Sequence, residues 1–382
     1  LLDEIEHSLA QFWGTDTHEY KPIGVYDSMT HVVGQVTNRA FVGLPFCRDP
    51  ALLKSGIAFA QAIPVAATML HMFPKFIRPL LAPIITLPNR IHTNKFYALL
   101  RSEIEQRQAR VECNEKSAQQ GPGDFLQWSI EQAEGLPDPY FRKPSTLAGR
   151  VLIVNFTSIH TTSFAITHVI LDLASSPSSY IDELRAEITT CLAAHGGKWG
   201  KRSLADMIKL DSVLRESQRV NSFATTAINR MVVNPAGITT PSGVHIPHGT
   251  MVCAPAYPVF HDEAIYSQPE KFLPFRFVPA SSSSPSEEAG AAPRAARQAF
   301  STTSPAYTNF GHGKHACPGR FFASTTLKLM LAYMVLHYDF EALPQRPDNL
   351  WFAMNRIPPV TAQLRIHRRK TADVGLQAST SS

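Results

Sequence analysis

Ten residues near the C-terminal end carry the densest chemistry in the sequence: Phe310-Gly311-His312-Gly313-Lys314-His315-Ala316-Cys317-Pro318-Gly319. Gly311, Gly313 and Gly319 permit positive φ and let the backbone come close to a flat ligand. Cys317 is expected where a helix begins, with Pro318 pre-shaped for a first helical position. Unpaired N–H groups and the positive end of a helix dipole would then lie beside the sulfur and favour the thiolate. A thiolate ligand of haem iron needs that environment: nearby N–H groups tune the sulfur, which pushes electron density onto the metal. Phe310 could shield the sulfur from water, and His315 could pair with a haem propionate. A competing chemistry is a zinc site made by His312, His315 and Cys317, although a fourth ligand is not evident and the spacing is cramped for a tetrahedron.

Two further groups could do chemistry. Glu216 and Arg219 stand three apart in Leu214-Arg215-Glu216-Ser217-Gln218-Arg219, so an acid and a base share one helix face. Such a pair is common on exposed helices and gains weight only from lying about a hundred residues before the cysteine loop. The third group is Ser158-Ile159-His160-Thr161-Thr162-Ser163. Read blandly, its polar side chains bond back to their own helix; read functionally, a histidine can relay protons near neutral pH.

The elements that must position these groups are mostly helices. Apolar spacing predicts helices over Val25 to Phe41, Tyr97 to Gln119 (charged and solvent-facing) and Asp124 to Gln132. Gly56 to Phe73 reads as a buried helix, since Gln61, Pro64 and His71 interrupt it short of the ~20 clean apolar residues of a membrane span. Met72 to Pro88 holds Pro74, Pro79, Pro83 and Pro88, a spacing that no single regular helix survives. Ser145 to Leu173 is apolar nearly all round and is expected to be central. Helices follow over Ser178 to His195, over Leu204 to Val220 with charge on one face, and over Arg320 to Leu336. Ala227 to Pro258 has short β-type runs between turn signals. Ala280 to Ala299 is low in complexity and reads as a disordered surface insertion, and 371–382 as a polar tail. The fold class is therefore mainly α with a small β portion, in one domain over residues 1–370, with no succession of βαβ units.

Composition narrows the partners. A formal charge of +5 is not gathered into an arginine-rich run, so nucleic-acid binding has no support. The mild basic excess suits an anionic membrane surface or an acidic redox partner equally. Cys47, Cys113, Cys191, Cys253 and Cys317 are odd in number and lack Cys-x-x-Cys spacing, which excludes a disulfide scaffold and a four-thiolate zinc site. The first four read as small buried hydrophobes. No signal peptide opens the chain, which begins with Leu1.

The ten-residue loop resembles the haem-binding signature of cytochromes P450, Phe-Gly-x-Gly-x-His/Arg-x-Cys-x-Gly, at every fixed position. The resemblance extends from Val25 to about Arg369 and implies the cytochrome P450 fold, N-terminally truncated, around haem b. It makes Cys317 the iron ligand, with Phe310, Gly311, Gly313, His315 and Gly319 shaping its cradle. Pro269-Glu270-Lys271-Phe272 and Phe275-Arg276-Phe277 resemble the family segment whose arginine joins the Glu-x-x-Arg pair, which places Glu216, Arg219 and Arg276 in one buried network. Arg230 looks like a propionate partner, and Gly243 to Thr250 like the family's Gly-x-x-Ile-Pro-x-Gly-Thr hairpin. Thr161 matches the distal threonine that assists proton delivery to dioxygen, while His160 stands where the family has an acid.

That His-Thr-Thr variant resembles fungal P450s of secondary metabolism, many acting on terpenoids. The implied activity is insertion of one oxygen atom into a hydrophobic small molecule, with electrons from NADPH through an NADPH-cytochrome P450 reductase. The family's N-terminal anchor, absent from this sequence, would hold such an enzyme at the cytosolic face of the endoplasmic reticulum membrane. Met72 to Pro88 falls in the family's substrate-access region, where Phe73, Phe76 and Leu80 beside Lys75 and Arg78 fit either interfacial contact or burial. Missing front elements also leave open a truncated, catalytically impaired relic.

Overall fold

The computed structural model describes residues 1–113, 123–279, 298–352 and 354–370. Its contacts divide into two units, Leu1–Gly14 with Asp27–Ser163, and Thr15–Tyr26 with Phe164 onward. The expected insertion, apart from its last residues, and the expected tail lie outside the described residues.

The first unit is helical. It contains α1 (Leu2–Trp13), most of α2 (Val25–Phe41), α3 (Pro50–His71), α4 (Arg78–Ile85), α5 (Leu87–Glu112), α6 (Phe125–Glu134) and the first twenty residues of α7 (Pro144–Ala174). Buried polar side chains tie these helices together in pairs. Glu4 of α1 is fully buried and accepts from Gln35 Nε2 at 2.7 Å and from Arg48 Nη2 at 2.9 Å. Asn38 of α2 donates to Asn155 of α7 at 2.7 Å and receives a return bond at 3.1 Å. Arg107 of α5 is buried and reaches Asp124, the N-cap of α6, at 2.8 Å. Each unmet partner would cost ~1–3 kcal/mol, so these pairs fix which helix faces meet.

Two helix expectations need correction here. Burial of α3 falls mostly in its first half, through Leu52, Leu53, Ile57 and Ala60; beyond Pro64 Ala66 is buried, but the larger Val65 and Met69 face solvent. That face continues along Met72, Phe76, Leu80, Ile84, Leu87 and Ile91, all exposed. Periodicity showed a helix, but hydrophobicity alone could not say that the described residues leave most of its second half uncovered. Among the described residues α3 is the one helix long and apolar enough to cross a membrane. Between Pro50 and Ser102 the sequence has no Asp or Glu, while Lys54, Lys75, Arg78, Arg90, Lys95 and Arg101 are all cationic. The other correction is α5, which begins at Leu87, ten residues earlier than expected. Beneath its charged face it buries Phe96, Leu100, Ile104 and Arg107. As the proline spacing requires, the chain breaks between α3 and α4 and again at Thr86.

The second unit holds the rest of α7, α8 (Ser179–Ala194), α9 (Lys201–Asp206), α10 (Ile208–Val220), a short α11 (Ala256–Phe260) and α12 (Arg320–His337). Where one helix was expected from Leu204 to Val220, the extended ψ of 76° at Met207 separates α9 from α10. Glu216 and Arg219, which the resemblance puts in a buried network, are buried on α10, and so is Arg215 beside them. Polar residues at regular spacing look alike in sequence whether water or other side chains satisfy them. Lys328 of α12 does the same, burying its ammonium against Asp211 of α10 at 2.7 Å.

All strand pairings among the described residues are antiparallel. A three-stranded sheet runs β1 (Lys21–Gly24), β9 (Gln363–Arg368), β6 (Tyr338–Phe340). Two-stranded pairs join β2 (Ala227–Met231) to β5 (Met251–Ala254), β3 (Ile238–Thr239) to β4 (His245–Ile246), and β7 (Leu350–Phe352) to β8 (Asn355–Ile357).

Candidate functional site

The cysteine loop is a tight double turn that its glycines make possible. Gly311 (φ 68°) and Gly313 (φ 70°) are both left-handed, a conformation side-chain-bearing residues resist. The loop closes on itself where the Cys317 N–H donates to the Phe310 carbonyl at 2.7 Å. Phe310 packs edge-on against buried Phe300, ring centroids 5.1 Å apart. His312 faces Thr303 Oγ1 at 3.0 Å through Nδ1, and His315 lies in a single 3-10 turn over Gly313–His315. Among the described residues no three His, Cys, Asp or Glu side chains gather to hold a metal ion, so His312, His315 and Cys317 do not form the alternative zinc cluster. The Cys317 thiol is unpaired and its residue half-buried. One expectation about the loop is off by two residues. α12 starts at Arg320 with Gly319 as its N-cap, because Pro318 and Gly319 form a turn before the helix rather than its first positions.

Beneath the loop lies α10. Glu216 and Arg219 are both fully buried and pair in fork fashion, Nε to Oε2 at 2.8 Å and Nη2 to Oε1 at 2.9 Å. Arg276 Nε reaches Glu216 Oε1 at 2.9 Å, and the Leu273 N–H adds a further donor at 3.0 Å. Arg219 Nη1 donates on to the Pro269 carbonyl at 2.8 Å. One carboxylate thus bridges two guanidiniums that bind the carbonyls of the segment from Phe260 to Lys271.

Several residues in this region were missed in the sequence. Arg215, beside Glu216, donates to the carbonyls of Ala299 and Thr302 at 2.7 Å each, and its guanidinium lies 3.8 Å from the Tyr307 ring centroid. Asn309 Nδ2 donates to the Gln218 carbonyl at 2.9 Å, a direct tie between α10 and the residue just before the loop. No motif flags either one, since their partners are main-chain carbonyls far away in sequence. Arg230 lies on β2, exposed, with its Nη1 bonded only to its neighbour's carbonyl at 2.8 Å.

In the first unit, α7 presents Ile153, Thr157 and Thr161 as an exposed row at four-residue spacing. The helix is therefore less uniformly buried than its composition suggests. Thr161 Oγ1 donates to the Thr157 carbonyl at 2.8 Å, which leaves its lone pairs directed outward as acceptors. His160 is half-buried; burial pulls its pKa below the ordinary value, only partly offset by a contact with the Ile57 backbone. Sequence reading passed over Thr157, whose carbonyl takes the Thr161 hydrogen bond, although its place one turn before Thr161 was the available signal.

The cytochrome P450 family profile matches residues 1–363. The chain belongs to the cytochrome P450 family. Its relatives include fungal monooxygenases: gloP of Glarea lozoyensis is 35% identical, matched over 96% of this chain and 69% of the relative. The monooxygenase htyF of Aspergillus rugulosus is 37% identical over 91% of this chain and 52% of its own length, and P450 monooxygenase 103 of Postia placenta is 34% identical over 98% and 72%. This P450 thus spans between about half and three-quarters of these relatives. Its fold matches the cyanobacterial P450 CYP120A1, solved with retinoic acid bound, at a TM-score of 0.66 and 19% identity, covering 96% of this chain and 73% of that one. The enzyme class shared with the fungal relatives is the cytochrome P450 monooxygenase.

The family implies a haem, and the loop fits one. The thiol is unpaired and reachable, and the loop turns at Gly311 and Gly313 without side chains over it. A Cβ added at Gly319 would stand 4.0 Å from Cys317 Sγ, in contact with the sulfur.

Proposed function

We propose that this P450 inserts one oxygen atom from dioxygen into a hydrophobic small molecule, with Cys317 as the haem iron's thiolate ligand. The observation that carries this reading is the loop itself: a reachable, unpaired thiol held by a closed turn with two left-handed glycines and no competing metal cluster among the described residues. The bound haem supplies the electron and dioxygen chemistry that side chains lack. Phe310, Gly311, Gly313, His315 and Gly319 shape its cradle, and Arg230, exposed and without an acidic partner among the described residues, is suited to a propionate. The Glu216, Arg219 and Arg276 network holds the layer on which the loop rests. NADPH would supply the electrons through a cytochrome P450 reductase.

The distal chemistry belongs to α7. With its hydrogen given to the Thr157 carbonyl, the Thr161 hydroxyl has its lone pairs left to accept from a donor on the exposed row. His160, kept neutral by burial, is a poorer proton source than the acid it replaces. The Thr161→Ala variant is therefore expected to turn NADPH more into peroxide and less into product. Unchanged coupling between NADPH use and product would remove Thr161 from the mechanism.

The His160-Thr161-Thr162 run supports a fungal secondary metabolite, terpenoid in class, as substrate. The acid-free apolar surface from Val65 to Ile91 supports contact with the cytosolic face of the endoplasmic reticulum membrane. The deciding experiment supplies full-length protein with reductase, NADPH, isotopically heavy dioxygen and a panel of terpenoids. One heavy oxygen atom in the product is the expected result. Label in water alone, with no product from any apolar substrate, would overturn the reading.

A further inference from the structure

One buried polar cluster has no part in the chemistry above. It lies wholly within the second unit, among the end of α7, the end of α10 and the chain leading into β7. Asp172 of α7 accepts from Ser217 Oγ at 2.6 Å and from Asn221 Nδ2 at 2.9 Å through Oδ2, and from Arg346 Nε through Oδ1. Arg346 spends its remaining donors on the Pro347 carbonyl at 2.8 Å, Asn349 Oδ1 at 2.9 Å and His168 Nδ1 at 2.9 Å. Asn349 in turn donates to Asn221 Oδ1 at 2.8 Å.

His168 sits one turn before Asp172 on the same helix and is 1% exposed. A guanidinium has only donors, so Nδ1 must accept, and the ring is neutral with its proton on Nε2. Nε2 has no hydrogen-bond partner among the described residues. An apolar side chain would fill the same space without an unmet buried donor, so what the imidazole contributes is its Nδ1 lone pair. Burial, followed by the Arg346 and Arg356 guanidiniums, depresses its pKa well below the ordinary value, in keeping with a permanent acceptor; Asp172 is the acid on its own helix. Burial raises the Asp172 carboxyl while Arg346, Ser217 and Asn221 oppose that shift.

From Asp172 a continuous path leads to the cysteine. Ser217 and Asn221 flank Gln218, whose carbonyl receives Asn309. Asn309 precedes Phe310, whose carbonyl receives the Cys317 N–H. We infer that His168 is a positioning residue: by accepting from Arg346 it fixes the guanidinium that orients Asp172 toward Ser217 and Asn221 at the end of α10, and through Gln218 and Asn309 it sets the cysteine loop.

The inference rests on Cys317 being the haem ligand, and the test separates the two. The readout on full-length, haem-loaded protein is the long-wavelength Soret band of thiolate-ligated haem with carbon monoxide, followed beside the melting temperature. His168→Leu removes the acceptor and is expected to lose most of that band to the form without thiolate. In His168→Asn the amide oxygen replaces Nδ1, and the band is expected to return. A normal band in H168L, whatever its melting temperature, would overturn the inference, as would equal loss in H168L and H168N. Should H168L yield no folded protein, Arg346→Lys decides: it keeps the charge beside Asp172 but has no fork to reach His168, so an undiminished band would equally sink the idea. Wild-type protein without the band would sink the Cys317 reading and this inference with it.

Discussion

Replacing Cys317 with alanine is expected to abolish oxygenation altogether and to remove the thiolate-type carbon monoxide band while leaving the fold intact. The first half follows from chemistry: alanine leaves no sulfur where the loop presents a free cysteine, and no other Cys, His, Asp or Glu cluster among the described residues replaces it. The second half follows from packing. Cys317 is only half-buried, so losing one sulfur opens little cavity, and the Phe310 carbonyl still receives the backbone N–H of residue 317. Cys47→Ala is the matched control. That thiol is fully buried, pushed up to about 12 by burial and then by the Glu4 carboxylate, and so is inert at neutral pH. C47A should lose ~1 kcal/mol or more of stability from the vacated volume yet oxidise substrate at the wild-type rate. Product analysis and thermal melts on both variants check the pair. Retained oxidation by C317A would contradict the central assignment.

Glu216→Gln is the second large effect, and it acts on stability first. The substitution keeps size and one acceptor but removes the charge that offsets Arg219 and Arg276. Arg219 has no access to water, so its guanidinium would be left buried and uncompensated. Breaking a buried pair from one side costs ~3–5 kcal/mol, enough to erase much of a domain's stability. The expected outcome is a steep fall in the denaturation midpoint and protein recovered without haem. A loss below ~1 kcal/mol, measured by denaturant titration, would mean the network does not support the loop.

The sequence made some of this legible for reasons that can be stated. The cysteine loop could be read because two of its glycines adopt a conformation few other residues tolerate, so the constraint is written in residue type. The Glu216 and Arg219 pair was visible because its partners are three apart on one turn. Arg276 was reachable only through resemblance. Arg215, Asn309 and Arg346 were invisible, since each binds carbonyls or side chains fixed by tertiary structure. Burial misled at α3, whose apolar second half is largely exposed, and the burial of Arg215 on α10 was not foreseen. Hydrophobic spacing reports that a helix has faces but not what covers them.

His168 and Asp172 stand four residues apart on α7, one turn plus about 40°, both within the second unit. That spacing lets one guanidinium, Arg346, meet both side chains. A residue inserted or deleted between them would turn one against the other by about 100° and part them. The four-residue step is a counting device: the side chains between can be exchanged, but their number cannot change.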